Sequence, residues 1–233
     1  MFAGINESDT SNKNENCRLF ELLEGNLKQI NAKQTITNDN AEVYQRIASI
    51  SPSDQIVLVD GKDKESNHTY LHALSYPGLN SLLDKPLTFE NVDILDSHFS
   101  SDGSALAVTT AREVTVWKVS QSPFKLTKVQ TIGDPLVRKE PGASFRFARW
   151  DYVIILTCKI ILNIFKRFGR GIHSSRLYTV TNSAPPLKKK GARPGYLTAW
   201  DTTNEWKVIR TTRLADKPIT ACDISWVPYF QLN

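Results

Sequence analysis

The chain has 233 residues, 23% charged and 40% hydrophobic, with 29 Lys and Arg against 24 Asp and Glu for a net charge of +5. Those proportions are ordinary for a folded protein and allow one large domain or two small ones with a sizeable core. The basic residues are scattered among the acidic ones, which argues against a dedicated nucleic-acid binder, since such a protein gathers its cations on one face.

Cys17, Cys158 and Cys222 are odd in number and far apart. No pair has zinc or redox spacing, so they read as buried or idle thiols in a reducing compartment. Asn6-Glu7-Ser8 and Asn67-His68-Thr69 match the short glycosylation pattern. No secretory signal is expected, because Met1-Phe2-Ala3-Gly4 lacks a basic start and runs into polar residues.

Taken along the chain, the signal is short β-type runs separated by turn residues. Ser51-Pro52-Ser53-Asp54 precedes Ile56-Val57-Leu58-Val59, and Thr69 to Leu74 ends at Tyr76-Pro77-Gly78. Ser101-Asp102-Gly103 reads as a tight hairpin turn, because Asp-Gly suits positive φ. It leads to Ala105-Leu106-Ala107-Val108 and then Val114-Thr115-Val116-Trp117. Such lengths and β-branched content predict strands.

The Ser-x-Asp turns at Ser51 and Ser100 are expected to begin similar units about one propeller blade apart, a blade taking roughly 40 to 50 residues. Tyr196-Leu197-Thr198-Ala199-Trp200-Asp201 and Val114 to Trp117 both resemble the strand that closes a WD repeat. Ile219-Thr220-Ala221-Cys222-Asp223-Ile224-Ser225 reads as the first strand of another blade. The fold expected is all-β, an incomplete WD40-type β-propeller with about four to five blades of a seven-bladed ring. A β-sandwich is the alternative, and the repeat period favours the propeller. Antiparallel blades are expected over 43–119 and 176–225, with Trp117 and Trp200 on strands.

Two stretches break the pattern. Trp150 to Ser175 contains the apolar run Tyr152 to Phe165, fourteen residues with Lys159 in the middle. That is shorter than the roughly 20 residues a membrane-spanning helix needs. Trp226 to Asn233 departs as abruptly. The organisation expected is therefore 1–149 as N-terminal blades, 150–175 as an aberrant apolar and basic insertion, 176–225 as further blade, and 226–233 as an aberrant tail. The first stretch shifts abruptly to Ile, Leu, Lys, Asn and Phe, as expected of a translated AT-rich intron, and the abrupt ending fits a second unspliced boundary and an early stop.

No catalytic constellation is present: His68, His72, His98 and His173 share no metal-ligand spacing, and no serine sits in a nucleophile elbow. Gly61-Lys62 lacks the upstream glycine of a phosphate-binding loop. The dense basic run Lys188-Lys189-Lys190-Gly191-Ala192-Arg193, flanked by prolines and Pro194-Gly195, reads as a solvated hairpin tip. The chain is expected not to be an enzyme.

Leu177-Tyr178-Thr179-Val180-Thr181-Asn182, the basic loop, and Tyr196 to Asp201 resemble fungal members of one family. So do Trp206-Lys207-Val208 through Ser225, and Phe2-Ala3-Gly4-Ile5-Asn6 with Arg18-Leu19-Phe20. The family is the endoplasmic-reticulum exchange factor that activates the Sar-type GTPase of COPII vesicles (the Sec-twelve family). The resemblance covers roughly the N-terminal half of that family's propeller and excludes the insertion. It implies a cytosolic propeller at the endoplasmic reticulum membrane, held by a C-terminal anchor absent from this chain. It also implies that the loop Gly4 to Asn16 contacts the GTPase and binds a potassium ion, with Gly4, Ile5, Asn6, Asn12, Asn14 and Asn16 as the candidate contacts. Members closer to yeast carry a glycine run there, which this sequence lacks. The function implied is nucleotide exchange; the alternative is a general WD-repeat scaffold. No catalytic residue, no nucleic-acid partner and no other metal are expected.

Overall fold

The computed structural model describes residues 2–5, 15–23, 26–34, 42–63, 66–151, 176–184 and 193–222. Its strands form antiparallel sheets in chain order. The first sheet holds β1 (Phe2–Ile5), β2 (Glu15–Leu23) and β3 (Asn26–Gln34). The second holds β4 (Glu42–Ile50), β5 (Ile56–Asp63), β6 (His68–Ser75) and β7 (Leu87–Glu90). The third holds β8 (Ile94–Phe99), β9 (Ala105–Thr110), β10 (Val114–Gln121) and β11 (Phe124–Ile132). A one-turn helix α1 (Pro135–Lys139) follows, capped by Asp134. The fourth sheet holds β12 (Ser144–Trp150), β13 (Arg176–Asn182), β14 (Gly195–Asp201) and β15 (Lys207–Ala215).

The first strands lie side by side, β1 against β4, β4 against β8, and β8 against β12. Neighbouring sheets therefore pack face to face, and their middle strands are covered on both sides. Val57, Leu58 and Val59 of β5 are fully buried, as are Leu106, Ala107 and Val108 of β9. Each of the Val and Leu side chains contributes roughly 1.5–3 kcal/mol by leaving water. Leu58, Leu71, Phe99, Leu106 and Val108 form the core between the second and third sheets. Val114, Val116, Phe145, Leu177 and Trp200 form the core between the third and fourth. This double coverage explains why the second strands read as continuous apolar runs rather than alternating ones.

Trp117 and Trp200 lie on strands, and Asp102-Gly103 sits in a turn with Gly103 at φ +70°. The structure corrects several finer expectations. The Ser-x-Asp turns do not begin the repeating units; they join the first strand of a sheet to its second, β4 to β5 and β8 to β9. Val114–Trp117 and Tyr196–Asp201 lie in the third strands of their sheets, each followed by an outermost strand. Trp150 belongs to β12 rather than to the aberrant stretch, since it pairs with Leu177 and is buried. Ile219 to Cys222 forms no strand, because the backbone of Ile219 bonds to a side chain rather than to a neighbouring strand. Residues 152–175, 185–192 and 223–233, where other expectations fall, lie outside the described residues.

Candidate protein-interaction surface

Ser51 and Ser100 occupy the same place in successive sheets. The Ser51 hydroxyl accepts the N–H of Ile56 at 3.0 Å, and the Ser100 hydroxyl accepts that of Ala105 at 2.9 Å. In each the serine N–H donates to the carbonyl five residues on, at 2.9 and 2.8 Å. The buried hydroxyls close these four-residue turns by satisfying backbone groups that the ladder leaves unpaired. The two turns adjoin, for a Cβ built on Gly103 would sit 3.8 Å from Pro52. First-to-second-strand turns are thus gathered at one end of the stack.

The inner strands are joined by polar locks. Arg149 of β12 is ion-paired with Asp96 of β8, and the same carboxylate accepts the N–H of Ala148 at 3.3 Å. Trp150 Nε1 donates to the carbonyl of His98 at 3.0 Å. Moving two residues along β12 moves two residues along β8, so these strands run in the same direction. Between the sheets, Thr181 donates at 3.0 Å to Asp134, whose other oxygen caps α1 through Leu136 N–H at 2.7 Å. Trp200 Nε1 donates to Thr179 across β13 and β14 at 2.9 Å, while Trp117 donates to Thr115 on its own strand at 3.0 Å.

At the opposite end, Asn182 Nδ2 donates to the carbonyl of Ile219 at 3.0 Å and its Oδ1 accepts the Ile219 N–H at 2.9 Å. The β13–β14 connection is held at its base by Ser183 N–H to Pro194 at 2.9 Å and by Arg193 to the Ser183 carbonyl at 2.9 Å. Lys188 to Ala192 of the basic run lie outside the described residues.

Of the sequence-derived contact residues, Gly4 and Ile5 end β1 opposite Arg18 and Cys17, and Asn16 lies on β2. Asn6, Asn12 and Asn14 lie outside the described residues. Among the described residues no three His, Cys, Asp or Glu groups assemble as a metal site, and no helix is long and apolar enough to cross a membrane.

Sequence reasoning did not pick out the outermost strands. β15 carries Lys207, Arg210 and Arg213 and no acidic residue, and β11 carries Lys125 and Lys128 likewise. The exposed large hydrophobic side chains of the described residues are Val129, Val208, Ile209 and Leu214, all about half accessible (52, 51, 50 and 51%). Three of them are bulge residues. Register passes from Val116↔Gln130 to Trp117↔Lys128, skipping Val129. It passes from Ala199↔Arg210 to Trp200↔Val208, skipping Ile209, and from Gly195↔Ala215 to Tyr196↔Arg213, skipping Leu214. Val129 and Ile209 are therefore equivalent, each facing the step before a tryptophan. The signal available in sequence was the absence of acidic residues across both nine-residue strands.

No family model matches the chain, and no curated protein matches it in sequence. Solved structures do. The chain is similar to the β-propeller domain of Cps50 (Swd1) from Myceliophteria thermophila, at 11% identity and a TM-score of 0.53, over 84% of this chain and 54% of that one. A protein from Lactobacillus plantarum also matches, at 13% identity and a TM-score of 0.45, over 90% of this chain and 55% of that one. The chain spans about half the length of these structures. Its sheets have the WD40-type β-propeller fold in an open, partial form.

Proposed function

We propose that the chain works as a propeller platform that binds protein, and that its partner is a Sar-type small GTPase whose nucleotide it releases. The observation that carries this reading is the hairpin of β1 and β2. It brings Gly4 and Ile5 into register with Arg18 and Cys17 at the head of the segment that resembles the exchange-factor loop. In strand order this connection is the counterpart of the turns at Ser51 and Ser100.

No covalent step is required. A GTPase holds its nucleotide through a phosphate-cradling loop and magnesium. A partner that binds the nucleotide-free form more tightly weakens nucleotide binding by the same factor, because the two equilibria are linked. Asn side chains and backbone carbonyls of a polar loop can stabilise a displaced segment of the GTPase, with a potassium ion as the cofactor the resemblance implies. On this reading the protein acts at the cytosolic face of the endoplasmic reticulum membrane and is not an enzyme in the covalent sense.

The test is release of a fluorescent GDP analogue from a purified Sar-type GTPase. Addition of the chain is expected to accelerate release, and Ile5→Ala with Asn6→Ala is expected to slow it while leaving the unfolding midpoint unchanged. Absence of acceleration would leave the platform without this partner and favour a general WD-repeat scaffold.

A further inference from the structure

The face of the fourth sheet turned away from the third repeats, position by position, a face of the third sheet that β12 covers. Trp117 stands opposite Leu106 and Trp200 opposite Leu177, which aligns the two sheets. On that alignment Tyr178, Val180, Leu197 and Ala199 correspond to Ala107, Thr109, Val114 and Val116. In the third sheet, Ala107, Val114 and Val116 pack with Phe145, Ala148 and Trp150 of β12, the first strand of the next sheet. In the fourth, no sheet among the described residues lies on the corresponding face. Val180 is nevertheless only 1% exposed, and Tyr178, Leu197 and Ala199 are half-buried.

We propose that this face is the docking site of the chain's own residues 223–233, which cap the stack. The approach is set by the described residues. Phe145, at the start of β12, is anchored to the third sheet by its N–H to the carbonyl of Ala111. Asn182 holds the place of Ala111 on the fourth sheet, and it grips the N–H and carbonyl of Ile219. The chain beyond Ile219 therefore sets out where β12 does one sheet earlier. A segment tethered at the edge of the face meets it at an effective concentration that a free partner or a second copy does not reach. The chemistry fits as well. After Asp223 the sequence carries no charged residue and supplies Ile224, Trp226, Val227, Tyr229, Phe230 and Leu232. These eleven residues reach about 36 Å when extended, and a four-stranded face is about 20 Å wide. Apolar side chains laid on Tyr178 and Leu197 leave water together with them, which favours the docked state.

The experiment uses the whole chain carrying Leu197→benzoylphenylalanine, a photoreactive group on the face, with light and heavy isotope-labelled chains mixed before irradiation. Mass spectrometry is expected to find position 197 joined to 223–233 of the same chain. Links between light and heavy chains would assign the face to a second copy, and no link to 223–233 would leave the segment elsewhere; either result overturns the proposal. A second measurement compares the whole chain with one ending at Cys222. The shortened chain is expected to raise the fluorescence of an apolar dye several-fold and to associate with itself, because the bared face is an apolar patch. A peptide of residues 223–233 added in excess should reverse both changes. A shortened chain that stays monomeric with an unchanged dye signal would also overturn the proposal, and if shortening unfolds the protein the cross-link decides. Neither measurement involves the GTPase, so the cap and the exchange reading stand or fall separately.

Discussion

Asn182 holds Ile219 by both polar atoms of its amide, so that a side chain at the end of β13 pairs with the backbone that follows β15. The close fit extends to Gly195, where a Cβ would lie 2.5 Å from the Ile219 side chain. The comparable point one sheet earlier is a backbone bond, Phe145 N–H to the carbonyl of Ala111 at 3.1 Å, which anchors the start of β12. Asn182→Ala removes a donor and an acceptor at a buried position, and is expected to cost about 1–3 kcal/mol. Asn182→Asp restores only the acceptor and should recover less than half of that. The check is chemical denaturation together with amide exchange, which should accelerate at Ile219 and remain slow at Leu177.

The sheet class, the buried middle strands and the hairpin turns were legible because burial on two faces writes continuous apolar runs and Asp102-Gly103 writes its turn directly. β11 and β15 were not, since their mostly solvent-facing residues, such as Lys125, Lys128, Arg210 and Arg213, leave no apolar signature. The pairing of Arg149 with Asp96 was equally hidden, because it joins residues 53 apart that only the stacking of β8 and β12 brings together. Of the loop expected to touch the GTPase, register is described for Gly4 and Ile5 and follows from the hairpin, whereas a contact with a partner leaves no trace in the local pattern.

Arg149 and Asp96 are each mostly buried, with side-chain exposures of 15 and 13%. Arg149→Met leaves the carboxylate with the Ala148 N–H but without its countercharge. Removing one partner of such a pair costs about 3 kcal/mol. Adding Asp96→Asn to Arg149→Met should return a large part of that loss. A double-mutant cycle in urea measures the coupling, and a value near zero would show that the pair does not join the third and fourth sheets.

Asp201 follows Trp200 at the end of β14 and accepts the Thr203 hydroxyl at 2.7 Å and the Thr203 N–H at 2.9 Å. The Thr203 hydroxyl is the main cause that holds its carboxyl below the usual carboxylate value. A depressed folded-state value means that the charged form is preferred on folding, so any stability it adds is present above the unfolded pKa and fades as pH falls through the folded one. Thr203→Val is therefore expected to raise the Asp201 midpoint in a carbon-detected NMR titration. A midpoint unchanged by that substitution would remove the hydroxyl as the cause.

Asp151 and Arg176 stand where the sheets before them have Ser51 with Ile56 and Ser100 with Ala105. Asp151 N–H donates to the Arg176 carbonyl at 3.2 Å, and the Arg176 N–H donates to the Asp151 carboxylate at 3.4 Å. The earlier turns enclose four residues, 52–55 and 101–104, whereas this one encloses 152–175. The pair Trp150↔Leu177 and those beyond it are in register, so the ladder is closed at the base of that segment. Replacing 152–175 by the Ser101-Asp102-Gly103-Ser104 turn should therefore preserve the fold. The shorter loop lowers closure entropy, which stabilises by roughly 1.5 kcal/mol on the logarithmic dependence of loop cost. Retained near-ultraviolet signal from Trp150, Trp200 and Trp206, with a raised unfolding midpoint, is the outcome expected. A collapse of that signal would show that the segment packs on the sheet as part of the design. The same reading expects codons 152–173 to be missing from the mature message. Their recovery from the abundant spliced transcript would make the segment a genuine insertion, even if the shortened protein folds.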